Sequence, residues 1–207
     1  MDIRHILILT IILFNNFAFG QNKKSYLISY TDTTSGNELV GYKDQFGKIV
    51  INAKFKQIYT DTLFSMAIVL KNSEWVGIDK FENVILMPFI FDNGPDYIEE
   101  GLFRFVENGK IGFANIDGQK IIKAKYDFAT PFENGLSEFT LGGQKEYEKG
   151  GEHWWWTCGD EKGFVNYFGQ EFMKVSKLKN NRRQAWTKDN KHFLINKQGK
   201  IIKELKL

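Results

Sequence analysis

The chain has 207 residues, 43% of them hydrophobic, 15% aromatic and 26% charged, with a formal net charge of +3. This composition excludes a collagen-like, low-complexity or disordered chain, because there is ample apolar and aromatic surface to bury. One cysteine, Cys158, excludes an internal disulfide scaffold, and the length suits one compact domain or one repeat array.

At the N-terminus Arg4 and His5 precede an apolar run from Ile6 to Phe14, broken by Thr10. Ala18 and Gly20 then place small residues where a signal peptidase reads, so residues 1–20 are predicted to be a cleaved secretory signal, with Gln21 opening the mature chain. The run is shorter than the roughly 20 apolar residues that span a bilayer, Asn15-Asn16 interrupt it, and no cysteine follows for a lipid anchor. The expected location is therefore secreted or periplasmic, with no membrane span after cleavage. Residues 21–37, rich in Thr, Ser, Asp and Gly, are expected to be a flexible lead-in.

From residue 38 to 207 a phrase recurs about five times. A Gly is followed six residues later by Gly or Asn, and then by an apolar run. Gly41 to Gly47 leads into Ile49-Val50-Ile51, Gly77 to Asn83 into Val84-Ile85-Leu86, and Gly112 to Gly118 into Ile121-Ile122. Gly163 to Gly169 leads into Phe172, and Phe193 to Gly199 into Ile201-Ile202. The fourth position is Asp44, Lys80, Asn115, Asn166 or Asn196. A short polar side chain there bonds the backbone ahead and opens a type I turn, which Gly47, Gly118, Gly169 or Gly199 closes with positive φ. Asn83 is expected to take that role in the second unit, since Asn tolerates the left-handed region. The phrase thus reads strand, turn, strand. The alternation in Leu102-Phe103-Arg104-Phe105-Val106 and Leu136-Ser137-Glu138-Phe139 adds a half-buried strand to each unit.

Lys110-Ile111-Gly112-Phe113, Gly118-Gln119-Lys120-Ile121-Ile122 with Lys125-Tyr126-Asp127, and Phe132-Glu133-Asn134-Gly135-Leu136 resemble the WG-repeat family of bacterial proteins. Its pattern runs approximately G-K-W-G-Y-I-D, then G-K-I-V-I-P, K-Y-D and F-x-x-G-L. The resemblance covers most of the mature chain, although no Trp-Gly dipeptide occurs. It implies an all-β fold, an array of antiparallel β-hairpin repeats that is open and twisted or, alternatively, closed like a propeller. It implies no reaction.

The repeat is interrupted at 141–160, where an elongated hairpin is predicted, with glycine pairs, a charged tip and the run Trp154-Trp155-Trp156. Strand alternation puts Trp154 and Trp156 on one face and Trp155 on the other. With Tyr147 and His153 they form the candidate binding site, because a projecting Trp offers large apolar area at low entropic cost.

Charge is uneven along the chain. Residues 60–108 carry a net −6 and residues 174–207 a net +9, which marks Lys177, Lys179, Arg182, Arg183 and Lys188 as a candidate basic patch. Export disfavours nucleic acid as its partner, and lysine-rich strands also protect sheet edges.

No catalytic residues, metal ligands or cofactor are expected. Two mature histidines and one cysteine offer no zinc spacing, and each turn supplies too few oxygens for calcium. The function expected is an exported, non-catalytic binding or scaffolding module for protein–protein contact in the bacterial envelope. One alternative is carbohydrate or peptidoglycan binding by the Trp hairpin. The other is a thiol enzyme using His153 and Cys158.

Overall fold

The computed structural model describes residues 25–34, 36–151, 153–157 and 159–206. The predicted signal and Cys158 lie outside the described residues. Within them the secondary structure is entirely β, and every strand pairing is antiparallel.

Five three-stranded meanders follow one another. Unit 1 comprises β1 (Leu27–Asp32), β2 (Leu39–Asp44) and β3 (Ile49–Phe55), and is followed by a short β4 (Thr62–Leu63). Unit 2 is built from β5 (Ala67–Lys71), β6 (Glu74–Ile78) and β7 (Val84–Pro88), and unit 3 from β8 (Leu102–Glu107), β9 (Lys110–Asn115) and β10 (Lys120–Tyr126). After β11 (Phe128–Ala129) comes β12 (Leu136–Leu141). The paired strands β13 (Lys145–Tyr147) and β14 (Trp154–Trp156) precede β15 (Glu161–Asn166) and β16 (Glu171–Phe172). Unit 4 is β12, β15 and β16. Last come β17 (Lys174–Val175) and the strands of unit 5, β18 (Arg182–Trp186), β19 (His192–Asn196) and β20 (Ile201–Leu205). The expected lead-in contributes β1, because Leu27 is buried and the whole strand pairs with β2 from Leu27↔Asp44 to Asp32↔Leu39.

Units 2 to 5 each borrow a fourth strand or segment from the chain that precedes them. Gln57 and Tyr59 bond to Leu70 and Ile68 of β5, Pro88 pairs with Phe105, β11 pairs with β12, and β17 with β18. Unit 1 is completed by β4, which pairs with β1. The borrowed segment also supplies a side-chain acceptor. Thr60, Thr130 and Ser176 hydroxyls and the Asp96 carboxylate each take the backbone N–H of the residue eight positions on, Ile68, Glu138, Gln184 and Arg104.

Units 2 and 3 are continuous through the β7–β8 pairing as one six-stranded sheet, and the core lies between successive units. Tyr42, Ile51 and Phe55 pack on Val69, Val76 and Ile78, whereas Met66, Ile68 and Leu86 pack on Phe103, Phe105 and Ala114. Ile111, Phe113 and Tyr126 meet Phe132, Phe139 and Val165, and Leu136 and Phe172 meet Ala185 and Ile195. Strand alternation gives each inner unit two apolar faces, one for each neighbour. Units 1 and 5 share no core cluster among the described residues, so the array is open. On the outer face of unit 5, Arg182 replaces the buried Leu102 and Leu136 of the inner units, and Gln184 bonds His192, which stacks on Trp186 at 4.5 Å. A polar terminal face of this kind keeps an open repeat array soluble.

The predicted turns form in all five units. Asp44 accepts N–H bonds from Phe46 and Lys48, Asn115 from Asp117 and Gln119, and Asn166 from Phe168 and Gln170. Gly47, Gly118, Gly169 and Gly199 close them at φ between 74° and 87°. The second unit corrects the predicted frame. Its turn opens at Asp79, not Lys80, and its left-handed residue is Glu82 at φ 66°, not Asn83. The Asp79 carboxylate decides this by accepting N–H bonds from Phe81 and Asn83. With Asp79 in place, Trp75 occupies the family's Trp position and Val76 its Gly position. Glycine is needed there only where the following strand bulges toward it. A Cβ on Gly41 would lie 2.5 Å from the Ile51 carbonyl, and one on Gly112 2.6 Å from the Ile122 carbonyl. In unit 2 the bulge of the following strand falls between Gly77 and Ile78, one residue further on, and Val76 is buried opposite Val69.

Candidate functional site

The hairpin β13–β14 grows out of the β12–β15 turn. Cross-strand pairing sets Lys145 opposite Trp156, Glu146 opposite Trp155 and Tyr147 opposite Trp154. Trp154 and Trp156 turn inward. Trp156 stacks on Phe128 at 5.6 Å between centroids, and its indole N–H donates to the Gly142 carbonyl at 3.0 Å. Trp154 meets Phe89, Phe91 and Phe128 edge-on, and its N–H donates to the Phe91 carbonyl at 3.2 Å. Both indoles thereby bury ring area and still satisfy their donors.

Beneath these rings lies a buried ion pair. Arg104 and Asp96 are each 1% exposed, and the guanidinium donates to both carboxylate oxygens, at 2.5 Å and 2.6 Å. Its remaining nitrogen donates to the Ala129 carbonyl at 2.7 Å, and the Phe89 ring covers it at 4.3 Å. A bidentate pair with its other donor satisfied can be tolerated out of water. The hairpin therefore rests on aromatics from two units gathered around one arginine.

The opposite face of the hairpin looks outward. There Trp155 is 48% exposed beside its cross-strand partner Glu146, whereas Tyr147, 55% exposed, shares the face of its partner Trp154, and the Lys145 ammonium lies over both of those rings, at 4.9 Å and 4.3 Å. His153 is exposed at the tip, 3.8 Å from Glu148. At the root, Asp127 accepts from the Lys110 ammonium at 2.6 Å and from the Gly142 N–H at 2.8 Å. These bonds, the Lys110 one foremost, hold its carboxyl below the ordinary Asp range. Asp127 is the Asp of the K-Y-D phrase, and its position explains why an acidic residue stands there.

The basic patch divides. Lys177, Lys179, Arg182 and Arg183 line one groove together with Asn180 and Leu194. Arg183 donates to the Asn134 carbonyl at 3.1 Å, while its Nε is buried without an acceptor. Lys188 lies beyond the opposite end of β18, where it bonds Glu161 at 2.5 Å. Among the described residues no group of three or more His, Cys, Asp or Glu side chains converges as a metal site.

Sequence reasoning missed the Arg104–Asp96 pair with its aromatic cover. The available signal was an arginine on the same strand face as Leu102, a face that had to be buried. It also missed the turns at 99–102, 133–136 and 179–182. Their central residues, such as Asn134-Gly135 and Asn180-Asn181, all have positive φ, and Asn-Gly is a strong hairpin signal.

Successive antiparallel meanders, a non-identical repeat and an interrupting hairpin define an open β-repeat array. The family model of the WG-containing repeat matches residues 41–75 and 111–144, so the chain carries WG-containing repeats at both regions. No curated protein matches it. The WG repeat is a repeat domain without enzymatic machinery of its own, and it points to a repeat-based binding module.

Proposed function

We propose that this chain is an exported, non-catalytic module of the bacterial envelope that recognises a partner protein through the outward face of the Trp hairpin. The observation that carries the reading is a division of labour among three adjacent tryptophans. Trp154 and Trp156 fix the hairpin to the aromatic cluster, and this leaves Trp155, beside Glu146, half-exposed on a rigid projection. A pre-ordered aromatic loses little entropy on binding, which is how interface anchors work. Support for export comes from the tripartite N-terminus.

The test is affinity capture from native envelopes with wild-type chain and with Trp155→Ala. Recovery of a specific partner that the variant loses supports the reading, and identical recovery by both sinks it. N-terminal sequencing of the exported chain should begin at Gln21. A second reading, stacking of a sugar ring on Trp155, is favoured by the neighbouring Glu146 carboxylate as an acceptor for hydroxyls. Peptidoglycan pulldown that depends on Trp155 would favour it over the first.

A further inference from the structure

A second site lies far from the hairpin, at the rim where the turns of units 4 and 5 meet. Two features lock these turns together. Asn166 is fully buried, and its amide donates to Gln170 Oε1 at 2.8 Å and to the Gly199 carbonyl at 2.9 Å. Gly135 and Gly199 then bring backbone against backbone. A Cβ on Gly135 would lie 2.2 Å from the Gln198 carbonyl carbon, and one on Gly199 2.3 Å from the Gly135 oxygen. Only glycine permits this approach, and the junction is rigid for that reason.

The junction holds a cavity of about 520 Å³. Phe132, nearly buried, lies at its base, and Tyr167 and Phe168 form an aromatic wall, 40% and 59% exposed and in edge contact at 5.9 Å. Lys197 and Lys200 complete the lining, and neither ammonium has a hydrogen bond or ion pair among the described residues. The Glu100 carboxylate also lines it, but one of its oxygens is taken by the Gly135 N–H at 2.8 Å. The cavity is of the size that encloses a small molecule, with apolar walls and a few polar groups to set orientation. Two lysines against one carboxylate leave the lining with a net positive charge of one.

We propose that this cavity binds a small amphipathic anion, an aromatic or aliphatic body carrying one acidic group. The body lies between Phe132 and the Tyr167–Phe168 wall, and the acidic group faces Lys197 and Lys200. The proposal is independent of the Trp-hairpin reading.

Calorimetric titration of the full chain at low salt with 2-naphthylacetate and with its neutral analogue 2-naphthylethanol tests it. The acid should bind about tenfold more tightly than the alcohol, and Phe168→Ser should weaken it by about tenfold. Joint substitution Lys197→Gln and Lys200→Gln should bring the two ligands to similar affinity, as should high salt. Trp155→Ala should change nothing. Failure of the acid to bind saturably, equal binding of acid and alcohol by the wild type, or unchanged affinity in Phe168→Ser would each overturn the proposal. Phe168 stands at an exposed turn tip, so its loss leaves the fold intact, as an unchanged melting temperature would verify.

Discussion

Units 3 and 4 solve the same connection in two ways. In unit 3, β8 and β9 are joined by Asn108-Gly109, both left-handed, and pair through six residues from Leu102↔Asn115 to Glu107↔Lys110. In unit 4 the same position holds the segment 142–160, yet β12 and β15 again pair through six residues, from Leu136↔Asn166 to Leu141↔Glu161. Register is set by the buried faces and the Asp or Asn turn at the far end, so the near end is free to vary. An inserted hairpin can then project without disturbing the array. It also returns something, since Trp154 and Trp156 pack on rings contributed by the connections into units 3 and 4.

The sharpest way to break this arrangement is at the ion pair under the hairpin. Arg104→Ala should cost about 3–5 kcal/mol in urea unfolding, because it strands a buried carboxylate. Arg104→Met with Asp96→Leu should regain most of that loss. Next come the glycines that both units share. Gly112→Ala should cost about 1–3 kcal/mol, since its Cβ meets the backbone at Ile122 and Ala124, and Gly163→Ala the same, against the Phe139 ring and the Phe172 carbonyl. Replacing residues 142–160 by Asn-Gly should convert unit 4 to the form of unit 3. We expect a loss of about 1–2 kcal/mol from the uncovered Phe89, Phe91 and Phe128, with hydrogen-exchange protection of Leu136–Leu141 retained; collapse of that protection would refute the register argument.

Two smaller effects sharpen the turn chemistry. Glu82→Gly should raise stability by about 1 kcal/mol by relieving a left-handed non-glycine residue, whereas Asn83→Gly should not. The last concerns acid. A carboxyl whose folded pKa is lowered stabilises the fold above its unfolded pKa, near 3.9 for Asp. That contribution is lost as the pH falls through the lower folded value. The stability that Asp127 contributes should therefore fade as the pH falls below about 3.9 toward its lower folded value, an effect under about 1 kcal/mol because the ion pair is partly exposed. Asp127→Asn should remove that slope from the acid unfolding curve.

The features legible in the sequence were those written within a few residues. Asp44, Asn115, Asn166 and Asn196 announce their turns because each side chain bonds backbone only two to four residues ahead. Unit 2 misleads because Gly77 lies two residues before its turn-opening Asp79, where the other glycines lie three before theirs. The outward and inward faces of the Trp run follow from alternation alone. The aromatic cover of Arg104 was hidden because Phe89, Phe128 and Trp154 come together only through packing between segments distant in the chain. The basic patch shows the reverse error. Lys188 is near Arg183 in the chain, but a five-residue strand carries it to the other end of the sheet.

The borrowed strand has a consequence for where this chain can be divided. A cut between Ala129 and Leu136 would fall just before a meander, yet it would leave β11 in one fragment and β12, the strand it pairs with, in the other. Neither fragment would keep all its hydrogen-bonded edges, and stretching from the two ends would load neighbouring sheets in series rather than peel one away. Interlocked links of this kind make the protein harder to shorten than to lengthen at a loop.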